Sequence, residues 1–248
     1  MQSRELSWEG CLNVRDLGGH PTENGHETRF GAVVRADSIR RLTDAGWEAL
    51  AEHGVATIVD LRVESELAED PPRELKIEVL HVSVVPELDS PHWDEIDAIG
   101  AAAEDHVSAT RDVYLEFLDR FGENFGRAIA EVARAPDGAV VVHCAGGKDR
   151  TGLVVALLLR LVGVSLEDIA ADYAASEANL HDELDQWIQS ADDEVTRAKR
   201  RRIAATPAEA MTGVLEAIER RHGSVRGYLR RAGVSDDDLD RARARLVE

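Results

Sequence analysis

The thirteen residues VVVHCAGGKDRTG, Val140 to Gly152, constrain this chain more than any other stretch of its 248. The β-branched run Val140–Val141–Val142 predicts a buried strand, the following glycines a turn, and the apolar run from Leu153 to Val164 a helix. A strand, a tight loop and a helix in that order form a unit of an α/β fold with a mostly parallel central sheet flanked by helices. Five residues separate Cys144 from Arg150. That spacing lets the thiol sit at the floor of a loop whose backbone N–H groups point inward. The next helix aims its N-terminus at the same spot, so a tetrahedral anion there meets unpaired amides and the positive end of a dipole.

Each residue type in the loop suits phosphoryl transfer. Cys144 is the candidate nucleophile, because a helix N-terminus and a neighbouring guanidinium favour the thiolate, the form that attacks phosphorus. Arg150 offers a planar fork for two phosphate oxygens, tightening as charge moves in the transition state. Gly146 and Gly147 are expected to free the backbone to turn its amides inward, with positive φ. Together with Ala145, Lys148 and Thr151 they form the expected substrate-binding wall, and the Thr151 hydroxyl is expected to donate to the sulfur when it leaves. His143 is expected to orient the loop through hydrogen bonds. This chemistry needs no metal or other cofactor, and the sequence has no HExxH-type ligand spacing.

HCAGGKDRTG resembles the signature loop of the cysteine-dependent protein tyrosine phosphatases. The Lys-Asp before the arginine is similar to a bacterial branch of that family, the mycobacterial B-type. NVRDLGG (Asn13 to Gly19), VVRADSIRRLTDAG, GVATIVDLR and the C-terminal HGSVRGYLRRAGVSDDDL resemble landmarks of the same branch in the same order, so the likeness spans nearly the whole chain. It implies a tyrosine-phosphatase-like fold with a helical lid insertion. The implied activity is hydrolysis of phosphotyrosine, extending to phosphoserine, phosphothreonine or phosphoinositides, through a phospho-cysteine.

The resemblance also bears on the proton donor. An ester with a poor leaving group needs a proton on the departing oxygen. In the resembling branch the Asp inside the signature loop has been placed in that role, and Asp149 matches its position. Asp60 is the alternative. It ends a predicted strand in VDLR, and with Arg62 it stands where active sites gather on a parallel sheet. Lys148 resembles a lysine in phosphoinositide phosphatase loops and is expected at the loop rim, favouring polyanionic substrates. Ala145 departs from that pattern, since some of those lipid enzymes carry a lysine there.

Composition fits one α/β domain over residues 1–248, 44% hydrophobic. Two cysteines, Cys11 and Cys144, give no disulfide framework, and Cys11 is read as inert. No signal-like apolar stretch opens the sequence, and the longest apolar run is interrupted by Arg160. The expectation is a protein that is cytoplasmic, or exported without a visible signal peptide, with no integral membrane association, and monomeric. A net charge of −19 argues against nucleic acid as a partner and calls for a local positive patch at the site's mouth to admit a phosphorylated protein or phosphoinositide substrate.

Further strands are expected over 29–35, 55–61 and 75–85, and helices over 43–53 and 107–134 with a break near Gly122 to Gly126. Ser90 to Asp105 reads as an irregular acidic loop. Ser165 with Asp168 signals a helix start, and Pro207 opens a helix to Gly223, before two short closing helices. The polar segment 177–206 is the candidate lid, and its KRRR run (Lys199 to Arg202) reads as a solvated helix face or a handle for an acidic headgroup. Two other functions compete with a phosphatase. A phospho-ligand-binding pseudophosphatase would lack the nucleophile or the arginine, and a sulfurtransferase would lack the helix-opening Arg-Thr-Gly.

Overall fold

A computed structural model of the chain describes residues 2–68 and 77–247. It is an α/β fold around a five-stranded sheet in the order β1-β2-β5-β3-β4. The strands are β1 (Arg15–Asp16), β2 (Val33–Ala36), β3 (Val55–Asp60), β4 (Glu78–His81) and β5 (Ala139–His143). Only β1, paired with β2, runs antiparallel. The strand expected over 55–61 is therefore present. That over 29–35 is confined to four residues, and that over 75–85 shortens to β4, with Leu75 and Lys76 outside the described residues.

β5 lies at the centre because both of its faces are apolar. Val140 and Val142 enter the larger core with Val33 and Val59, while Ala139 and Val141 face the other way with Val34, Ala36 and Ile58. This is the period-2 alternation of a strand covered on both sides. Over the smaller face lies α1 (Asp44–Glu52), started by Thr43, whose hydroxyl accepts from Gly46 N at 3.2 Å. A short α2 (Glu64–Leu67) follows β3. The segment read as an acidic loop instead forms α3 (His92–Ala102), which buries Ile96 and Gly100 against the next helix. Its charges obscured two inward positions, and helix-helix packing outweighed a weak local signal.

The larger face carries α4 (His106–Arg120) and α5 (Gly122–Arg134), divided at Phe121, and α6 (Asp149–Leu161), buried after its first two residues at every position but Arg160. α7 (Leu166–Asn179) starts at Ser165, whose hydroxyl accepts from Asp168 N at 3.0 Å, as its spacing predicts. Then come α8 (His181–Gln189), α9 (Glu194–Ala204), α10 (Ala208–His222), α11 (Val225–Arg231) and α12 (Asp236–Val247). The pairing of Asp60 with His143 and of His143 with Ala36 brings the carboxyl ends of β3, β5 and β2 to one edge. The signature loop lies on that edge. None of the described helices is long and apolar enough to cross a membrane.

Candidate active site

The loop after β5 is held by its carbonyl oxygens. Cys144 O accepts from His143 Nδ1 (3.2 Å), Ala145 O from Ser38 N (2.9 Å), Gly146 O from Asn13 Nδ2 (3.0 Å) and Gly147 O from Arg35 Nη2 (2.7 Å). There are no cis peptide bonds among the described residues, and a trans peptide sets its N–H opposite its C=O. Fastening four consecutive carbonyls to the scaffold therefore turns the amides of Ala145 to Lys148 to the other, concave side. None of those amides donates to a group among the described residues. They form a nest for an anion at the start of α6.

The two glycines differ. Gly147 has φ +62°, and a Cβ there would stand 2.3 Å from the Ala36 carbonyl oxygen, so the loop cannot close over β2 with any other residue. Gly146, expected to share this constraint, has no positive φ, and its nearest neighbour would be Leu180 Cδ1 at 3.7 Å.

The carbonyl anchors belong to a buried charge network. Arg35 is fully buried; its Nη1 donates to Asp172 Oδ2, and its Nη2 also reaches Ser176 Oγ at 3.2 Å. Arg15 Nε donates to Asp172 Oδ1 at 3.0 Å and its Nη1 to Asn13 Oδ1 at 2.5 Å. Burial alone would raise the Asp172 carboxyl, but the two guanidiniums outweigh it and hold the group well below the usual range. NVRDLGG thus braces the signature loop from behind, through Asn13 and Arg15.

Cys144 is 2% exposed. Arg150 presents its fork to Glu66 of α2, with Nη1 to Oε2 at 2.5 Å and Nη2 to Oε1 at 2.9 Å. Burial opposes the arginine's charge, yet Glu66 and the nearby Cys144 sulfur outweigh it and raise its affinity for the proton. Glu66 takes two of the five guanidinium N–H donors, leaving three for an anion. Glu66 Oε2 also accepts from Val63 N at 2.9 Å, which fixes the partner's position. Thr151 Oγ1 is buried and makes no hydrogen bond, so the expected bond to sulfur is not formed in this state.

Asp149 opens α6, and its Oδ1 accepts from Lys148 Nζ (2.8 Å) and from the hydroxyl of Tyr114 on α4. Lys148 does not project from the rim as expected. It is 4% exposed, because Nζ is drawn inward to Asp149 and to the Ile203 carbonyl of α9 at 2.6 Å. On the sheet edge, Arg62 binds Asp60 with Nε (3.0 Å to Oδ1) and Nη2 (2.7 Å to Oδ2). His143 Nε2 lies 3.4 Å from Asp60 Oδ2, an ion-pair distance outside good hydrogen-bond geometry. Burial would raise the Asp60 carboxyl, but His143 and Arg62 together push it far below the usual range.

Two residues of the 177–206 segment approach the loop: Leu180, whose Cδ1 lies 3.7 Å from where a Cβ on Gly146 would stand, and Ile203 of α9, whose carbonyl holds Lys148. Arg41 grips Glu183 of α8, Lys199 of α9 pairs with Asp97 of α3 at 2.5 Å, and α8 buries none of its residues. Most of the KRRR run is engaged locally. Lys199 holds Asp97, Arg200 lies over the Trp187 ring at 5.2 Å, and Arg201 pairs with Glu194 at 2.9 Å. Arg202 instead lines a cavity of about 240 Å³ that has Asp149 and Arg150 on one wall and Trp93, Ile96, Val113, Phe117 and Ile203 on the others. No group of three or more His, Cys, Asp or Glu side chains among the described residues is placed to hold a metal.

Sequence reasoning did not single out Glu66, Tyr114, Arg35 or Asp172. One tyrosine on the inward face of an amphipathic helix and one arginine in a strand are the only local signals for Tyr114 and Arg35. Glu66 is 84 positions from Arg150, and Asp172 is 157 and 137 positions from Arg15 and Arg35.

With this geometry in place, comparisons with known proteins agree on one family. A family model described as "Tyrosine phosphatase family" matches residues 6–248. The chain is similar to the "Triple specificity protein phosphatase PtpB" of Mycobacterium tuberculosis, 31% identical with all of both chains covered. It is also similar to a "Tyrosine-protein phosphatase" of Nostoc commune, 30% identical over 87% of this chain and 74% of the relative.

Proposed function

The chain belongs to the tyrosine phosphatase family and is a protein tyrosine phosphatase, and we propose that it works through a phospho-cysteine on Cys144. The observation that carries this reading is the set of outward-fastened carbonyls from Cys144 to Gly147, which leaves the loop amides to an anion above the sulfur.

The Cys144 thiolate attacks phosphorus and forms the S–P bond as the bond to the leaving oxygen breaks. Asp149 gives that oxygen its proton, and Arg150 holds two equatorial oxygens through the donors Glu66 does not use. Water then attacks the phospho-cysteine, Asp149 takes a proton back, and the S–P bond breaks to restore the thiolate and release phosphate. The buried, unbonded Thr151 hydroxyl is free to donate to the departing sulfur. Asp60 is a poor alternative donor, since His143 and Arg62 hold it ionised and an ionised carboxyl has no proton to give. Its proposed role, with those two residues, is to brace the strand edge below the loop.

The apolar cavity beside Asp149 suits an aromatic leaving group, which favours phosphotyrosine. The relative named for triple specificity supports testing phosphoserine and phosphothreonine as well. Phosphoinositides lose the residue that recommended them, because Lys148 is buried rather than at the rim. Residues 177–206 are proposed as a lid: Leu180 and Ile203 reach the loop at Gly146 and Lys148, and α8 and α9 have little core of their own. Turnover of para-nitrophenyl phosphate without added metal, followed by matched phosphopeptide and phosphoinositide panels, tests the reading. Phosphotyrosine peptides should be preferred. Preferential turnover of phosphoinositides would overturn the substrate assignment, and thiosulfate-to-cyanide transfer without phosphatase activity would overturn the reaction.

A further inference from the structure

We propose that Tyr114 is a positioning residue that decides which oxygen of Asp149 carries the transferable proton. The inference rests on the reading of Asp149 as proton donor. Asp149 Oδ1 accepts from two groups at once, the Tyr114 hydroxyl and Lys148 Nζ. A carboxyl oxygen has two lone pairs. With both directed at donors, a proton on Oδ1 would face two other hydrogens, so the acid proton resides on Oδ2.

The hydrogens along this chain can be assigned one by one. The Tyr114 hydroxyl has a single hydrogen, and pointing it at Asp149 leaves its oxygen to accept from the Tyr173 hydroxyl of α7, 2.8 Å away. Tyr114 is 3% exposed and keeps its proton, because burial and then the Asp149 charge both oppose a phenolate. The direction of donation therefore runs from Tyr173 through Tyr114 to Asp149. Lys148 is fixed at a second of its three ammonium hydrogens by the Ile203 carbonyl. Two donors on separate elements, α4 and the loop, stop the carboxyl from rotating and keep Oδ2 for the leaving oxygen.

In the first half-reaction the Oδ2–H bond breaks, the proton passes to the leaving oxygen, and the electron pair stays on the carboxylate. Oδ1 keeps both of its bonds throughout, so they favour the ionised product without having to form during the reaction. Other charged or titratable groups near Asp149 are Arg150 with its partner Glu66, Glu177 beside Tyr173 on α7, and Asp97 and Arg202 on the cavity wall. None of them is altered by Tyr114→Phe.

Removing the hydroxyl frees Oδ1 to take the proton and withdraws a bond that favours the ionised form. In Tyr114→Phe, kcat on phenyl phosphate should fall on the order of tenfold more than kcat on an activated nitro-substituted aryl phosphate. The basic limb of kcat should move to higher pH. Equal losses on the two esters with an unmoved limb would mean that Tyr114 only packs, and would overturn the proposal. Asp149→Asn is measured beside it. If that variant is also indifferent to the leaving group, the donor assignment fails together with this inference; if it is sensitive while Tyr114→Phe is not, this inference alone fails. Should Tyr114→Phe not fold, 3-fluorotyrosine at position 114 keeps the packing and donates more strongly. The limb should then move to lower pH, and an unmoved limb would overturn the proposal.

Discussion

Arg35 and Asp172 form an ion pair wholly inside the protein, and the same guanidinium holds the Gly147 carbonyl at 2.7 Å. The signature loop is therefore fixed by a charge on β2 that is neutralised from α7, 137 positions away.

Asp172→Asn removes the countercharge of both Arg35 and Arg15 while leaving their guanidiniums buried. Breaking one side of a buried pair costs about 3–5 kcal/mol. Urea unfolding should show a loss of that order, with activity falling as well because the Gly147 anchor loosens. A loss under about 1 kcal/mol, the range of an exposed pair, would contradict the bracing role.

Stability should fall in acid for a defined reason. The Asp172 and Asp60 carboxyls are held far below the unfolded aspartate value of about 3.9. Depressed groups stabilise the fold fully above that value and lose the contribution as pH drops through it toward the folded one. Urea midpoints should be nearly level from about pH 7 to about pH 5 and fall steeply below about pH 4. Asp172→Asn should flatten part of that fall. An acid slope unchanged by the substitution would assign it to other groups.

The two loop glycines should respond in opposite ways to a methyl group. Gly147→Ala combines φ +62° with a 2.3 Å clash against a backbone oxygen, so the loop must move and turnover should drop by orders of magnitude. Gly146→Ala meets nothing closer than 3.7 Å, and its melting temperature should stay within a few degrees of the parent's. Comparable damage from both would mean that Gly146 carries a constraint its surroundings do not reveal.

Replacing residues 181–204 with a short Gly-Ser linker removes α8 and α9 and frees Lys148 from the Ile203 carbonyl. Cys144 should then be oxidised faster by peroxide, since cover over a reactive thiol limits its access to oxidant. Chemistry on an activated nitro-substituted aryl phosphate, whose leaving oxygen needs no proton, should be largely retained. A folded variant with unchanged peroxide sensitivity would reduce the two helices to a hairpin with no gating role.

The core of the fold was legible because its signals are local. Val140 to Val142, Thr43 and Ser165 each mark an element through a pattern contained within a few residues. The signature loop was legible for the same reason, since Cys144 and Arg150 stand on one turn. α3 was not, because its apolar positions are few and acidic residues intervene. Lys148 was misplaced because its direction is decided by the Ile203 carbonyl, 55 positions on. Glu66 and Tyr114 reach the site only through tertiary packing, and no spacing in the sequence announces a partner 84 or 35 positions away.

The covalent step is the centre of the account, and rapid quenching followed by intact-mass and peptide mass spectrometry tests it most directly. Enzyme mixed with excess aryl phosphate and quenched in acid should carry one phosphoryl group, mapped to Cys144, while Cys144→Ser should show no such cysteine adduct and lose turnover. Addition of EDTA should change neither result. Wild-type-like turnover by Cys144→Ser, or full activity with the phosphoryl group on a different residue, would contradict it.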